Sequence, residues 1–325
     1  MRLSSAAILG RVTFVTGPEK GCGKTTLVKR LLSLARAVDE RPAILAVGFE
    51  GESPRPGSDD SRRPALECLP GEVFVSAERY LRISSCLPEV LDVLPGSTAL
   101  GRLAIVRARR RGRLVLVGPE RNEHVAWAVD RIRSERWART ILVDGALNRI
   151  TQASVFPGAG FLFVLRLSPG DLDRGLRALR RIHRLVTLPV AAAPADLRGA
   201  RAPETARAAG LSGPFSIEEG RAAAGAAGLS GPLAEVEGPL TAETLARLPG
   251  NARTIVVEDF TKVFLDAPGL ASLLRSRSLA VRTGVEFGGF VVVLRDLSRE
   301  RFLAALDDPS LERLVAFNPC ETVHA

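Results

Sequence analysis

The ten residues GPEKGCGKTT at 17–26 constrain this chain more than any other stretch. They follow an apolar run, RVTFVT at 11–16, that reads as a short buried strand. They precede a segment in which Leu27, Val28, Leu31, Leu32, Ala35 and Val38 recur with the 3.6-residue period of a helix packed on a sheet. Strand, glycine-rich loop and helix in that order make the context a phosphate cradle needs. Backbone N–H groups of the loop and of the helix N-terminus then converge on one anion. Gly17, Lys20, Gly21, Cys22, Gly23, Lys24, Thr25 and Thr26 are therefore expected to surround nucleotide phosphates. The Lys24 ammonium would reach the terminal phosphates and the Thr25 hydroxyl would ligate Mg²⁺. The loop is one residue longer than the usual G-x-x-x-x-G-K-[ST], because Pro18 stands where the first glycine would fall and Gly17 comes one position early.

Charge bears on what else the chain could bind. The formal net charge is +9, and of 45 basic residues only four are lysine: Lys20, Lys24, Lys29 and Lys262. Arginine has replaced lysine nearly everywhere except around the loop, where a compact ammonium suits a phosphate site. The densest basic run, RARRRGR at 107–113, lies between strand-like runs and is expected to be a solvated hairpin turn. With one Tyr and two Trp in the chain it lacks the aromatic interleaving of a nucleic-acid surface, so no nucleic-acid partner is expected. No apolar run approaches the roughly 20 residues of a membrane-spanning helix. The apolar start of the chain reads as leading into the first strand rather than as a signal segment. Four scattered cysteines, Cys22, Cys68, Cys86 and Cys320, without metal-type spacing, fit free thiols in the cytoplasm. His124, His183 and His324 have no partner spacing and read as structural or surface residues.

A phosphate loop needs an acid for its metal. ILVDG at 141–145 offers Asp144 at a strand end, with Gly145 behind it, and Asp144 is the candidate Mg²⁺ partner. The alternative reading of Asp144 is a helix cap. TIVVEDF at 254–260 is a rival, with Glu258 and Asp259 at its end. Glu50 and Glu52 follow the second expected strand, AILAVG at 43–48, and are candidates for metal contact and for orienting water, respectively. A solvated acidic loop is the other reading of that pair. The base-reading pattern N/T-K-x-D of GTP sites is missing, since TKVFLD at 261–266 has its Asp two positions late; ATP is the expected nucleotide.

Further strands are expected at 101–106, 113–118, 140–143, 161–166 and 187–192, with helices near 121–138 and 171–184. Their alternation predicts an α/β fold with a doubly wound, mainly parallel sheet. The expected division is a nucleotide-binding domain over 1–192, an Ala/Gly-rich connection over 193–250 and a C-terminal part over 251–325. That last part carries a strand at 254–259, a helix near 266–276, strands near 278–283 and 290–294, a helix near 298–307 and a final strand LVAF. It fits either a separate α/β lobe or a continuation of the first sheet.

The lengthened loop resembles that of dethiobiotin synthetase and its relatives among MinD-like ATPases. Five stretches together, GPEKGCGKTT (17–26), AVGFEGE (46–52), LGRLAIVRARRRGRLVLVGP (100–119), ILVDGALNRITQAS (141–154) and VVEDFTKVFL (256–265), resemble a particular family. It is the P-loop reactivase subunit that accompanies the adenosylcobalamin-dependent lysine 5,6-aminomutase and ornithine aminomutase. The chain departs from the family pattern at Glu50 and Asn148, where Asp is more usual. The resemblance implies ATP-driven removal of damaged cobalamin from the mutase, beside a MutS-like companion ATPase, with Lys24, Thr25 and Asp144 carrying the nucleotide chemistry. Two other functions fit the residues. One is a small-molecule ATP-dependent ligase or kinase of the dethiobiotin synthetase type, and the other is a nucleotide-gated interaction module with little hydrolysis.

Overall fold

The computed structural model describes residues 3–19, 21–48, 66–145, 159–191, 215–218 and 232–318. Contacts divide the chain into two units, 1–172 together with 286–325, and 173–285.

The first unit starts with β1 (Val12–Thr16), buried along its whole length. After the glycine-rich loop, α1 (Lys24–Arg36) packs Leu27, Val28, Leu31, Leu32 and Ala35 inward, as the helical period requires. Val38 was expected on that stripe, but the helix ends at Arg36 and Val38 is exposed. There follow β2 (Ala43–Ala46), β3 (Leu66–Cys68), β4 (Val73–Ala77), the short α2 (Glu78–Leu81), β5 (Pro88–Val93), β6 (Leu103–Ala108) and β7 (Gly112–Leu114). Then come α3 (Asn122–Ser134), β8 (Ile141–Asp144) and β9 (Gly160–Leu167). The chain leaves this unit and returns as β14 (Glu286–Leu294), α7 (Arg299–Leu306), α8 (Pro309–Glu312) and β15 (Val315–Phe317).

These strands build a nine-stranded sheet in the order β15-β14-β9-β1-β8-β2-β4-β6-β5. Every neighbouring pair from β15 to β4 is parallel, while β6 runs antiparallel to both β4 and β5. The protein is thus α/β with a large, mostly parallel central sheet, compatible with double winding. Strand alternation gives its middle two different faces. Val15, Leu142, Leu162, Val164 and Val291 join the inward residues of α1 in one apolar cluster. Phe161, Phe163, Phe287 and Phe290 lie in an array of ring contacts 4.8–6.3 Å between centroids.

The second unit holds most of α4 (Leu172–Val186) and a four-stranded sheet. Its strands, in the order β10 (Phe215–Glu218), β11 (Leu233–Val236), β12 (Thr254–Val257) and β13 (Ser278–Val281), are parallel except for the β10–β11 pair. It also contains α5 (Ala242–Arg247) and α6 (Ala267–Ser276).

Several expectations need correction. The boundaries differ from 1–192, 193–250 and 251–325. The expected connection contains β10, β11 and α5, and the C-terminal part is shared, with β12, α6 and β13 in one unit and β14 and β15 in the other. At 187–192 the described residues give a single bridge, Val190 to Val281, rather than a strand. The basic run does not turn a hairpin, because β6 pairs in the nine-stranded sheet and β7 pairs with β3.

An ion pair anchors the end of α1. Glu72 has a fully buried side chain and accepts from Arg36 Nε at 2.7 Å, Arg36 Nη2 at 2.8 Å and Leu69 N at 2.8 Å. This contact holds the Arg36 guanidinium above its ordinary pKa. Removing the carboxylate would leave a partly buried cation unpaired. Glu72→Ala is expected to lower unfolding free energy by about 3 kcal/mol in urea titrations, and a change under 1 kcal/mol would show that the pair does not anchor the helix.

Candidate functional site

β1 lies at a switch in the winding of the sheet. From β1 the chain builds outward through β2 and β4, fills in β8 beside β1, and then crosses to β9 on the other side. In open α/β sheets such a point leaves a crevice at the carboxyl ends of the strands, where ligands bind. The described loop residues 17–19 and 21–23 lie at that edge.

The loop is packed tightly at its root. A Cβ on Gly17 would lie 2.4 Å from Cys22 Sγ and 2.7 Å from the Val164 carbonyl oxygen. Gly23, the N-cap of α1, has φ 110°, a left-handed conformation that favours glycine, and its carbonyl accepts the first helical bond from Leu27 N at 2.9 Å. The helix therefore opens directly under the loop. Lys24, the first helical residue, is 3% exposed. Its Nζ donates to the Glu19 carbonyl at 3.0 Å and lies 3.9 Å from Cys22 Sγ. The ammonium is thus turned back into the loop.

Asp144 meets the start of α1. Parallel pairing sets it level with Val15 of β1 and Ala46 of β2. Its Oδ2 accepts from Thr25 Oγ1 at 3.0 Å, and the residue is 6% exposed. Gly145 N donates to the Val15 carbonyl at 3.0 Å and so keeps the chain close to β1 beyond the strand end. Next to it, Val47 N donates to Asp144 O, and Gly48 exchanges backbone bonds with Pro119 and Gly118. The loops after β1, β2, β7 and β8 thus share one edge.

The other candidates are distributed as follows. Gly21 and Thr26 are exposed, Thr25 is half-buried and Cys22 is buried. Lys20, Glu50, Glu52, Asn148, Cys320 and His324 lie outside the described residues. The rival acid Asp259 is a cap: its Oδ1 accepts from Thr261 N at 2.7 Å and from the Thr261 hydroxyl, at the start of a short 3₁₀ turn. Glu258 is exposed, with Thr283 Oγ1 at 3.5 Å. The structure brings Asp144 to the glycine-rich loop, through Thr25.

The basic turn is largely neutralised. Arg109 and Arg107 pair with Glu89, Arg111 pairs with Glu67 at 2.7 Å, and Arg110 Nε donates to the Ser85 carbonyl at 2.8 Å. His124 faces Glu123 at 3.6 Å. No cluster of three or more metal-ligating side chains occurs among the described residues. None of the described helices is long and apolar enough to cross a membrane.

Sequence spacing missed two features. Arg166 of β9 reaches the loop, its Nη1 donating to the Gly21 carbonyl at 3.1 Å. Cys68 and Cys86, far apart in sequence, are both buried free thiols that act on each other. The interaction with Cys86, together with burial, pushes Cys68 well above the ordinary thiol value, while the interaction with Cys68, helped by Ser84 and Arg110, lowers Cys86 to about 6 against the opposing effect of its burial. Only the fold brings these pairs together, so no local signal could have found them.

No family model, no curated protein and no solved structure matches the chain.

The packing of the loop root can be tested directly. Gly17→Ala forces apart the Gly17, Cys22 and Val164 contacts and is expected to cost about 2–3 kcal/mol of stability. It should also raise the maleimide labelling of Cys22, read by peptide mass spectrometry. Wild-type stability with Cys22 still protected would mean the loop root is looser than this geometry.

Proposed function

We propose that the 17–25 loop and Asp144 form a Mg·ATP site and that the chain hydrolyses ATP there. The observation that carries this reading is the 3.0 Å bond between Thr25 Oγ1 and Asp144 Oδ2, which joins residues 119 positions apart. A hydroxyl at the first turn of the loop's helix and a carboxylate at the end of the neighbouring parallel strand are the two protein ligands a phosphate-loop magnesium site requires. The donor set, two hard oxygens beside a crevice, fits Mg²⁺. Thr25 and Asp144 would hold the ion, which would neutralise phosphate charge when bound.

The remaining residues have assignable tasks. Lys24 is a nearly buried cation whose Nζ is turned to the Glu19 carbonyl of the loop. A phosphate oxygen is a stronger partner in such a low-dielectric setting. The N–H groups at the start of α1 add partial positive charge on the same side. Gly17 and Gly23 let the backbone close around the phosphates. Glu52 is assigned to orienting water and Glu50 to supporting the metal, both from their position after β2.

On the resemblance in the five stretches quoted above, we read the biological role as reactivation of an adenosylcobalamin-dependent amino acid aminomutase, beside a MutS-like ATPase. ATP binding would be the driving event and the cytoplasm its setting. A ligase or kinase of the dethiobiotin synthetase type is distinguished by turnover that depends on a small acceptor.

Lys24→Ala is expected to lower ATP hydrolysis by about 100-fold or more while thermal unfolding stays close to wild type. Asp144→Asn should lower Mg²⁺-dependent hydrolysis far more than nucleotide affinity. Wild-type hydrolysis by a folded Lys24→Ala protein contradicts the site. For the role, affinity for the purified aminomutase should differ between ADP and a non-hydrolysable ATP analogue, and equal affinity in both states argues for the ligase reading.

A further inference from the structure

β9 is the neighbour of β1 on the side away from Asp144, and it extends past the end of β1. Thr16, the last residue of β1, is level with Phe163, so Arg166 stands three residues beyond, on the same edge as the loop. Alternation puts Arg166 on the face of Leu162 and Val164, the residues that pack under α1. Val164 Cγ1 would lie 3.6 Å from a Cβ on Gly23, and the Val164 carbonyl 2.7 Å from one on Gly17. The strand that carries Arg166 is therefore in contact with both ends of the loop.

The guanidinium arches over the loop and donates from Nη1 to the Gly21 carbonyl. Among the described residues no carboxylate pairs with it. The contrast with the turn at 107–113 is sharp, since Arg107, Arg109 and Arg111 each face a glutamate. An arginine at the mouth of an anion-shaped loop, held by one neutral carbonyl and half-exposed, retains donors for a charged partner. Its planar fork can bind a phosphate by two bonds at once.

We propose that Arg166 is a phosphate-binding residue of the same site, contacting the polyphosphate of a bound nucleotide from the β9 side, opposite Thr25 and Asp144. The inference rests on the Mg·ATP reading of the loop and adds to it. Lys24 approaches from within the loop and Arg166 from above it, so the phosphates are gripped between two cations that reach them from different elements. In the free protein the Gly21 carbonyl keeps the guanidinium in place.

The alternative is a strut that merely holds the loop tip. The two differ in their dependence on charge and salt. The test is equilibrium binding of a fluorescent ATP analogue, with Mg²⁺, to the full chain at several salt concentrations, for wild type, Arg166→Ala, Arg166→Lys, Lys24→Ala and the surface control Arg109→Ala. Losing one charged contact should weaken Arg166→Ala by about tenfold or more. The slope of affinity against salt should become shallower, and low-millimolar guanidinium ion should restore part of the loss. Arg166→Lys should fall between, and Arg109→Ala should match wild type. A loss in Arg166→Ala with the wild-type salt slope and no guanidinium rescue would mean a strut and overturn the proposal. Wild-type affinity in Arg166→Ala alongside a defective Lys24→Ala would overturn it while leaving the nucleotide site standing. Absence of binding by the wild-type protein would overturn both.

Discussion

The parallel pairing of β1 with β8 is the contact on which the rest of the site depends. It places Val15 level with Asp144, so a loop leaving β1 and an acid ending β8 emerge at the same edge. A slip of one residue would turn Asp144 to the other face of the sheet, away from α1. Register here is fixed by burial on both faces, since β1 and β8 are buried along their lengths and sit centrally in the sheet. The hydrogen bond from Thr25 to Asp144 is the visible consequence of this register. The pairing with β9 does the same on the other flank, bringing Val164 under the loop and Arg166 over it.

Around that frame the chain concentrates charge in a place that would otherwise be unfavourable. A nearly buried lysine, the open N-terminus of a helix and an arginine all face one loop. Lys24 and Arg166 each donate to a carbonyl of the loop, those of Glu19 and Gly21, so both cations are drawn onto it. Elsewhere in the same unit arginines are matched by glutamates, as at Glu72, Glu89 and Glu67.

Much of this was legible in the sequence. The loop, α1 and the strand ending in Asp144 each carry strong local signals: glycine spacing, helical period and an apolar run closed by an acid. What the sequence hid depended on distance. β14 joins β9 across more than a hundred intervening residues, and nothing in EFGGFVVVL at 286–294 says which sheet it enters. The apolar run of β6 was clear, but its antiparallel direction is set by its partners rather than by its composition. β4 and β5 sit between turns without the long periodic flanks that mark a βα unit. Arg166 looked like one arginine among 41 until β9 was placed beside β1. Asp259 matched Asp144 in local pattern, and it is the bonds of one to Thr261 and of the other to Thr25 that separate the two.

The central claim is that magnesium and ATP meet at the edge formed by β1, β8 and β9. Amide hydrogen exchange, followed by mass spectrometry with and without Mg²⁺ and a non-hydrolysable ATP analogue, locates that event along the chain. The account predicts strong added protection in peptides covering 17–32 and 141–145, weaker in the absence of Mg²⁺ and lost in Lys24→Ala. Protection confined to 173–285, or no change anywhere at saturating nucleotide, would contradict it.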